Sequence, residues 1–529
     1  MKLYNTMSAQ KEELSIAPDH RLSIYLCGPT TYNYIHLGNA RPLVVFDTLR
    51  RYLLYRGHEL YYVQNFTDVD DKIIKRAQEE NRDPLALAEY YIDEYFKDAD
   101  RLGIMRADVH PRVSQHMPQI VAAVQQLIDR GYAYERDGDV YYRVSAFHDY
   151  GRLSKRSVED MLSGARVSVD ERKEAPVDFA LWKSAKPGEP AWDSPWGPGR
   201  PGWHIECSVM SNCYLGNTID IHGGGADLIF PHHENEIAQS EALTGCTFVR
   251  YWMHNGFITV NKEKMSKSLG NFFILRDILD RFPPDVVRYY LLATHYRSPL
   301  DFDDGKLEEA HRALGRLKNT LYLGKKWLPE GDRAATPTDS AWWQEVESLR
   351  QRFIEAMEDD CNTAMAISYL FELSRLINTA IADQDGRSDG MENDLSAAIH
   401  IFRQLGEVLG IFMAERAESS SRERVEGVLA LWLELRSRAR AERDYVGADR
   451  IRDLLKERGV VMEDDAEGSR CRYATTPQLE ELMTSLLELR SDYKAQKRFE
   501  LADLIRDGLR EQGILLEDGK EGVRWKFAE

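Results

Sequence analysis

The chain has 529 residues, of which 43% are hydrophobic and 29% charged, with 35 glycines and 19 prolines. That length exceeds one hydrophobic core and predicts about three or four domains, and the balance excludes fibrous or disordered classes. A net charge of −18 excludes indiscriminate nucleic-acid binding, but not a local basic footprint, because surface fields decay over about 8 Å at physiological salt.

Near the start, RLSIYLCG (21–28) is a short apolar run closed by glycine and predicts a strand. ARPLVVFDTLRRYLLYRG (40–57) has helical spacing and a glycine stop. HELYYVQNF (58–66) predicts a second strand, and DDKIIKRAQEEN (70–81) a helix opening on aspartates. Strand, helix and strand at this spacing form a βαβ unit, which implies an open, mostly parallel sheet. From about 113 to 178 the signals mix, with a strand at YYRVSAF (141–147), and read as an insertion in the sheet domain. KPGEPAWDSPWGPGRPGW (186–203) predicts irregular chain leading straight into HIECSVM. After about Asp304 four long helical patterns follow, separated by polar linkers. AERAESSSRERVEG (414–427) reads as a further charged linker and a domain boundary.

An internal repeat closes the chain. Residues 434–473 align without gaps onto 488–527 at an offset of 54, with 18 of 40 positions identical. Each copy predicts two helices, a glycine cap (Gly459, Gly513) and a strand-like tail. Two copies are too few for a solenoid, so a duplicated small module is predicted.

No apolar run approaches the ~18 residues of a membrane helix, and the N-terminus lacks an apolar signal region. Six cysteines, at 27, 207, 213, 246, 361 and 471, form no close pairs, which predicts a reducing, cytoplasmic setting.

PHHENE (231–236) raises a metal question. In a helix starting near His233, His232 and Glu236 share one face, four residues apart. The pattern is not HExxH, and a His and a Glu alone make a poor zinc site. A thiolate from Cys207 or Cys27 would complete it; otherwise those cysteines are core residues and the cluster merely starts a helix. HLGN (36–39) lies between the first strand and its helix, where a helix N-terminus suits phosphate, although four residues also suit a plain turn. KMSKS (264–268) could clamp a triphosphate or be a solvated loop. HGGGAD (222–227) allows close backbone approach to a ligand, or makes a tight turn at a strand end.

The order of these motifs is what is specific: HLGN after the first strand, KMSKS about 230 residues later. The chain thereby resembles a class I aminoacyl-tRNA synthetase. YLCGPTTYNYIHLGNARP, NFTDVDDKI, GRPGWHIECS, DIHGGGADLIFPHHENEIAQSEA and EKMSKSLGNFF resemble the cysteinyl-tRNA synthetases in particular. The resemblance implies an α/β fold: a Rossmann-like parallel-sheet catalytic domain (1–304, insertion about 113–200), an all-helical domain on the tRNA stem and anticodon side (305–420), and a duplicated small α+β C-terminal module (428–474 and 475–529). It implies ATP-dependent activation of L-cysteine and transfer to tRNA-Cys. A monomer is the default expectation, which no sequence feature carries, and the lack of long apolar runs predicts no membrane association. The resemblance also implies one zinc held by Cys27, Cys207, His232 and Glu236, with Thr67 and Trp203 near the amino acid. A thiol-selecting zinc would reject serine strongly enough to make editing unnecessary.

For catalysis it implies His36 and Asn39 at the α-phosphate, Lys264 and Lys267 at the leaving pyrophosphate, and Mg²⁺ on ATP. His36, Gly38, Asn39, His222, Gly224 and Lys267 would bind the nucleotide. The C-terminal module resembles the family's anticodon-binding domain, where one copy is usual; here there are two. Trp525 in the second copy is Cys471 in the first, while Arg440 in the first is Lys494 in the second. Asp503 and Asp518 have counterparts in both copies, and the aromatic platform favours the second copy as reader, with Trp525, Asp503, Asp518 and Arg440 as the expected contacts. Two rivals remain: a ligase joining cysteine to an amino sugar, which would need no anticodon module, and a catalytically inactive RNA-binding homologue.

Overall fold

A computed structural model of the chain describes residues 1–16, 20–157, 172–260, 263–264, 273–325, 335–383, 390–465, 468–473, 479–519 and 522–527. They form two units, Met1–Phe412 and Met413–Glu529.

In the first unit a hairpin, β1 (Lys2–Asn5) and β2 (Gln10–Glu13), precedes β3 (Leu22–Leu26), α1 (Leu37–Tyr55), β4 (Leu60–Gln64), α2 (Asp71–Glu80) and α3 (Pro84–Arg101). The insertion packs α4 (Met117–Asp129) with an antiparallel sheet of β5 (Ala133–Arg136), β6 (Asp139–Tyr142), β7 (Phe179–Ser184) and β8 (Gly199–Pro201). The strand expected over YYRVSAF thus stops at Tyr142, and the chain turns into a 3₁₀ segment at Val144–Ala146. Then come α5 (Trp203–Leu215), β9 (Ile219–Gly225), α6 (Glu234–Thr244) and β10 (Val249–Asn255).

The central sheet runs β10–β9–β3–β4 with every pairing parallel. Parallel strands are covered on both faces, hence the near-continuous apolar runs LSIYL and LYYVQ. The HGGGAD glycines do not turn: Gly223 to Gly225 stay in β9. Gly223 is required by helix packing, since a Cβ there would lie 1.9 Å from the ring of Phe46 on α1.

A three-stranded sheet follows, of β11 (Ile258–Val260), β12 (Glu263–Lys264) and, beyond α7 (Leu275–Leu279) and α8 (Pro284–Leu292), β13 (Leu300–Phe302). Four long helices complete the unit: α9 (Asp304–Gly324), α10 (Ala341–Glu358), α11 (Thr363–Ala382) and α12 (Met391–Leu409). Sheet and helices share one core, from Leu3 to Phe412. A fully buried ion pair crosses it: Arg288 Nη2 donates to Asp47 Oδ2 at 2.6 Å and also to the Leu409 carbonyl at 3.2 Å. Burial works against the Asp47 carboxylate, but Arg288 and Arg51 hold it below its usual range. Arg288→Ala would strand that carboxylate, and is expected to cost about 3–5 kcal/mol. Urea denaturation of the two proteins, followed by tryptophan fluorescence, measures it; equal midpoints and slopes would refute it.

In the second unit α13 (Met413–Ala441), α14 (Tyr445–Glu457) and a hairpin of β14 (Val460–Asp465) and β15 (Gly468–Tyr473) form the first copy. The linker expected at 414–427 is instead continuous helix within α13. Its polar residues are mostly good helix formers, with no breaker before Gly427. The second copy repeats the arrangement as α15 (Leu479–Ala495), α16 (Phe499–Glu511), β16 (Ile514–Gly519) and β17 (Gly522–Phe527). Gly459 and Gly513 take the same left-handed turn, at φ +75° and +70°. Both copies contribute to one core, in which Leu435, Ile451 and Leu455 of the first are matched at the same offset by Leu489, Ile505 and Leu509 of the second.

Candidate active site and metal centre

Strand order in the central sheet reverses between β3 and β9, since β3 leads to β4 on one side and β9 to β10 on the other. Ligands bind at the carboxyl ends of strands at such a switch point. Here lies a cleft of about 330 Å³ whose walls include Cys27, His36, Gly38, Asn39, Trp203 and Asp227. His36 and Asn39 form a reciprocal capping box on α1: His36 Nδ1 accepts from the Asn39 N–H and Asn39 Oδ1 from the His36 N–H, both at 3.2 Å. The box fixes both side chains at a helix N-terminus, which favours an anion.

Cys27 also borders a buried cluster. Its Sγ lies 3.8 Å from Cys207 Sγ and 3.6 Å from Glu236 Oε1, and Glu236 Oε1 lies 3.0 Å from His232 Nε2. One donor atom each from Cys27, Cys207, His232 and Glu236 falls within 4.8 Å of all the others. The topology explains this: Cys27 leaves β3, Cys207 rides on α5, and His232 and Glu236 are one helical turn apart entering α6. Both cysteines are free, and Glu236 Oε2 is buried with no hydrogen-bond partner. Burial pushes the Glu236 carboxyl and the Cys27 thiol well up. Cys207 is drawn down to about 7, because it receives the Cys27 hydrogen bond and lies beside His232. Two sulfurs, an imidazole and a carboxylate with an orphaned oxygen fit a tetrahedral cation.

A second grouping shares two of those residues: Cys27 and Glu236 with His222 and His233. His222 Nε2 and His233 Nε2 lie 3.4 and 3.3 Å from Cys27 Sγ, and His233 Nδ1 lies 2.7 Å from His254 Nε2. His222, expected at the nucleotide, is fully buried and stacked on Trp252, with ring centroids 4.6 Å apart. Parallel pairing sets it beside Tyr25 on β3, behind the thiols instead of in the cleft. Gly224, expected there too, faces Leu228 and His233. Neither residue lines the cleft.

Trp203 lies against His232, with ring centroids 4.4 Å apart, and walls the cleft. Thr67 is buried and does not line the cleft, its Oγ1 donating to Glu206 Oε2 at 3.3 Å. Lys264 ends β12, paired at Thr259 of β11; its side chain and all of Lys267 lie outside the described residues. Sequence reasoning missed two supports, His204 and Glu206, and left a third, Glu234, open between a helix start and a support for the site. His204 Nδ1 lies 3.0 Å from His232 Nδ1, Glu206 holds Thr67, and buried Glu234 accepts the backbone N–H of Gly151 (3.0 Å) and Ser154 (2.7 Å). The only signal for them was adjacency to the motif residues.

In the second unit Arg440 is exposed in the last turn of α13, and Asp503 is exposed on α16, paired with Arg506 at 2.8 Å. Trp525 is partly buried against the core opposite Leu516, at the hairpin position Cys471 holds opposite Met462. Asp518 sits on β16 opposite Val523, and its side chain lies outside the described residues. Among the described residues no helix is long and apolar enough to cross a membrane.

Fold and cleft define a class I aminoacyl-tRNA synthetase. The family model for tRNA synthetases class I (C) catalytic domains matches residues 13–312, and the DALR domain model matches 352–413. The fold is also that of the Mycobacterium tuberculosis methionyl-tRNA synthetase solved with methionyl-adenylate: TM-score 0.56, 15% identity, 74% of this chain and 90% of that one covered. The chain is 57% identical over 484 residues to cysteine–tRNA ligase of Pelotomaculum thermopropionicum and 58% over 476 residues to that of Moorella thermoacetica. Each match covers 89% of this chain and 99% of the relative. The chain belongs to the cysteine–tRNA ligase family.

Proposed function

We propose that the enzyme activates L-cysteine with ATP and transfers it to tRNA-Cys, selecting cysteine through a zinc held by Cys27, Cys207, His232 and Glu236. The observation that carries this is the convergence of two free thiols, an imidazole and a carboxylate within 4.8 Å beside the switch-point cleft. The two-thiol group is preferred to the one with His222 and His233 because sulfur donors suit zinc and the low-lying thiol, Cys207, belongs to it. Zinc bound there would supply a soft Lewis acid for the substrate sulfur, which serine lacks. Trp203 would close that side, and Thr67, held by Glu206, would position the amino acid.

The capped N-terminus of α1 supports the nucleotide assignment. His36, Gly38 and Asn39 would bind ATP there, with His36 and Asn39 facing the α-phosphate while the cysteine carboxylate attacks and pyrophosphate leaves. Lys264 and Lys267, with Mg²⁺ on the triphosphate, would neutralise the leaving group. Such catalysis works by positioned charge without a covalent enzyme intermediate. Residues 1–304 would carry the chemistry, 305–420 would face the tRNA stem, and the modules at 428–474 and 475–529 would read the anticodon through Arg440, Asp503, Asp518 and Trp525. A cytoplasmic monomer suits this role.

Cysteine-dependent ATP–pyrophosphate exchange, followed by charging of tRNA-Cys, tests the reading. His36→Ala is expected to lower kcat of exchange by roughly 10²–10³ with little change in KM for cysteine, the scale of losing one preorganised donor. Exchange driven by another amino acid, or by none, would refute the reading.

A further inference from the structure

Arg41 lies on α1 two residues after Asn39, and it is fully buried. Its Nη1 donates to the carbonyls of Gly256 at 2.8 Å and Phe257 at 2.9 Å, and its Nη2 to those of Ser298 at 2.5 Å and His295 at 3.4 Å. Burial draws the guanidinium down only to about 10, so it stays charged near neutrality. Among the described residues no carboxylate pairs with it; all four acceptors are carbonyls. A buried charge without a counterion is costly, and an apolar side chain would fill the same space without that cost. What the fork adds to packing is a tie from α1 to the two segments that open β11 and β13, strands paired in parallel from Ile258 and Leu300.

Gly256, Phe257 and Ile258 line the same cleft as His36, Gly38 and Asn39. Gly256 has no room for a side chain, since a Cβ there would lie 2.6 Å from the Ser298 carbonyl oxygen. Beyond β12 the chain returns to the capped turn through its backbone: the Leu37 N–H donates to the Phe273 carbonyl at 3.0 Å and the Leu275 N–H to the Ile35 carbonyl at 2.9 Å. The turn is thus tied to the chain on both sides of β12, by main chain after it and by Arg41 before it. We propose that Arg41 is a positioning residue for ATP, whose fork fixes the width of the slot between the capped turn of α1 and the wall at Gly256–Ile258. Being buried, it acts through that wall and not on the nucleotide itself. A reactant held against both walls needs that width kept, since a displacement of about 1 Å can cost roughly 10²-fold in rate.

The inference rests on the nucleotide assignment at α1, and direct ATP binding separates the two. In the full chain, Arg41→Met, Arg41→Lys and Gly256→Ala are compared with the unaltered protein by calorimetric titration with Mg²⁺–ATP, by KM for ATP and for cysteine in exchange, and by circular dichroism. Arg41→Met is expected to bind ATP about tenfold or more weakly, with KM for cysteine within about twofold and the helical signal unchanged. Arg41→Lys, which keeps the charge but cannot fork to both segments, should fall between. Gly256→Ala leaves Arg41 in place but displaces the wall, and should reproduce the selective loss. A folded Arg41→Met with unaltered ATP affinity would overturn the inference, as would equal losses toward ATP and cysteine, which mark a purely structural role. If Arg41→Met failed to fold, Arg41→Lys would decide: a selective loss of ATP affinity sustains the inference, and unaltered affinity overturns it. No ATP binding by the unaltered chain would instead sink the nucleotide assignment, and this inference with it.

Discussion

Cys207→Ala is expected to purify with almost no zinc, where the unaltered chain carries about one ion. Cysteine-dependent exchange should fall roughly 10²–10³-fold, the scale on which one preorganised electrostatic contributor acts. The substitution removes the thiol that lies low enough to ionise near neutrality, at about 7. It leaves Cys27 and Glu236, both pushed up by burial, with His232 as a three-donor set. Metal content by plasma mass spectrometry, read beside exchange, checks this. His222→Ala is the control: it touches Cys27 at 3.4 Å but belongs to the other grouping. A stoichiometric ion in Cys207→Ala together with none in His222→Ala would move the centre to Cys27, His222, His233 and Glu236.

Ending the chain after Tyr473 should unfold the second unit rather than free an intact first copy. The removed segment supplies half of the shared core, including Leu482, Leu486, Leu489, Ile505 and Leu509. Each such loss costs about 2–5 kcal/mol, against a total stability of about 5–15 kcal/mol for a domain. Ion pairs across the copies go as well, among them Arg498 to Glu442 at 2.6 Å and to Asp444 at 2.5 Å, and Arg450 to Asp492. Rapid proteolysis beyond Phe412 and loss of tRNA charging are expected. Exchange should persist, because cleft and thiol cluster lie wholly before residue 413. A protease-resistant, fully helical truncation would show that the first copy has a sufficient core. Because deletion removes the fold along with the reader, point changes at partly buried Trp525 and exposed Arg440 are the cleaner way to tell which copy reads the anticodon.

Much of this was legible in the chain. RLSIYLCG, the helix after HLGN and HELYYVQNF carry their own periodicities, so β3, α1 and β4 follow from local signals. His36 and Asn39 are three apart at a helix start, and nothing beyond that turn is needed to make their capping box. His232 and Glu236 meet for the same local reason. The repeat is an identity of letters, and both copies fold alike.

What only the tertiary structure decided depends on partners distant in sequence. Register between parallel strands has no local signature, yet it put His222 beside Tyr25 and behind Cys27, away from the cleft. Packing of α1 on β9 made Gly223 a contact for Phe46 instead of a turn. The polar stretch 414–427 looked like a linker because composition reports solvation, whereas helix continuity depends on the absence of a breaker. An amphipathic helix specifies an apolar face but not what covers it, so two modules legible as a duplication share one core, and Arg41 finds its carbonyl partners 215 to 257 residues away.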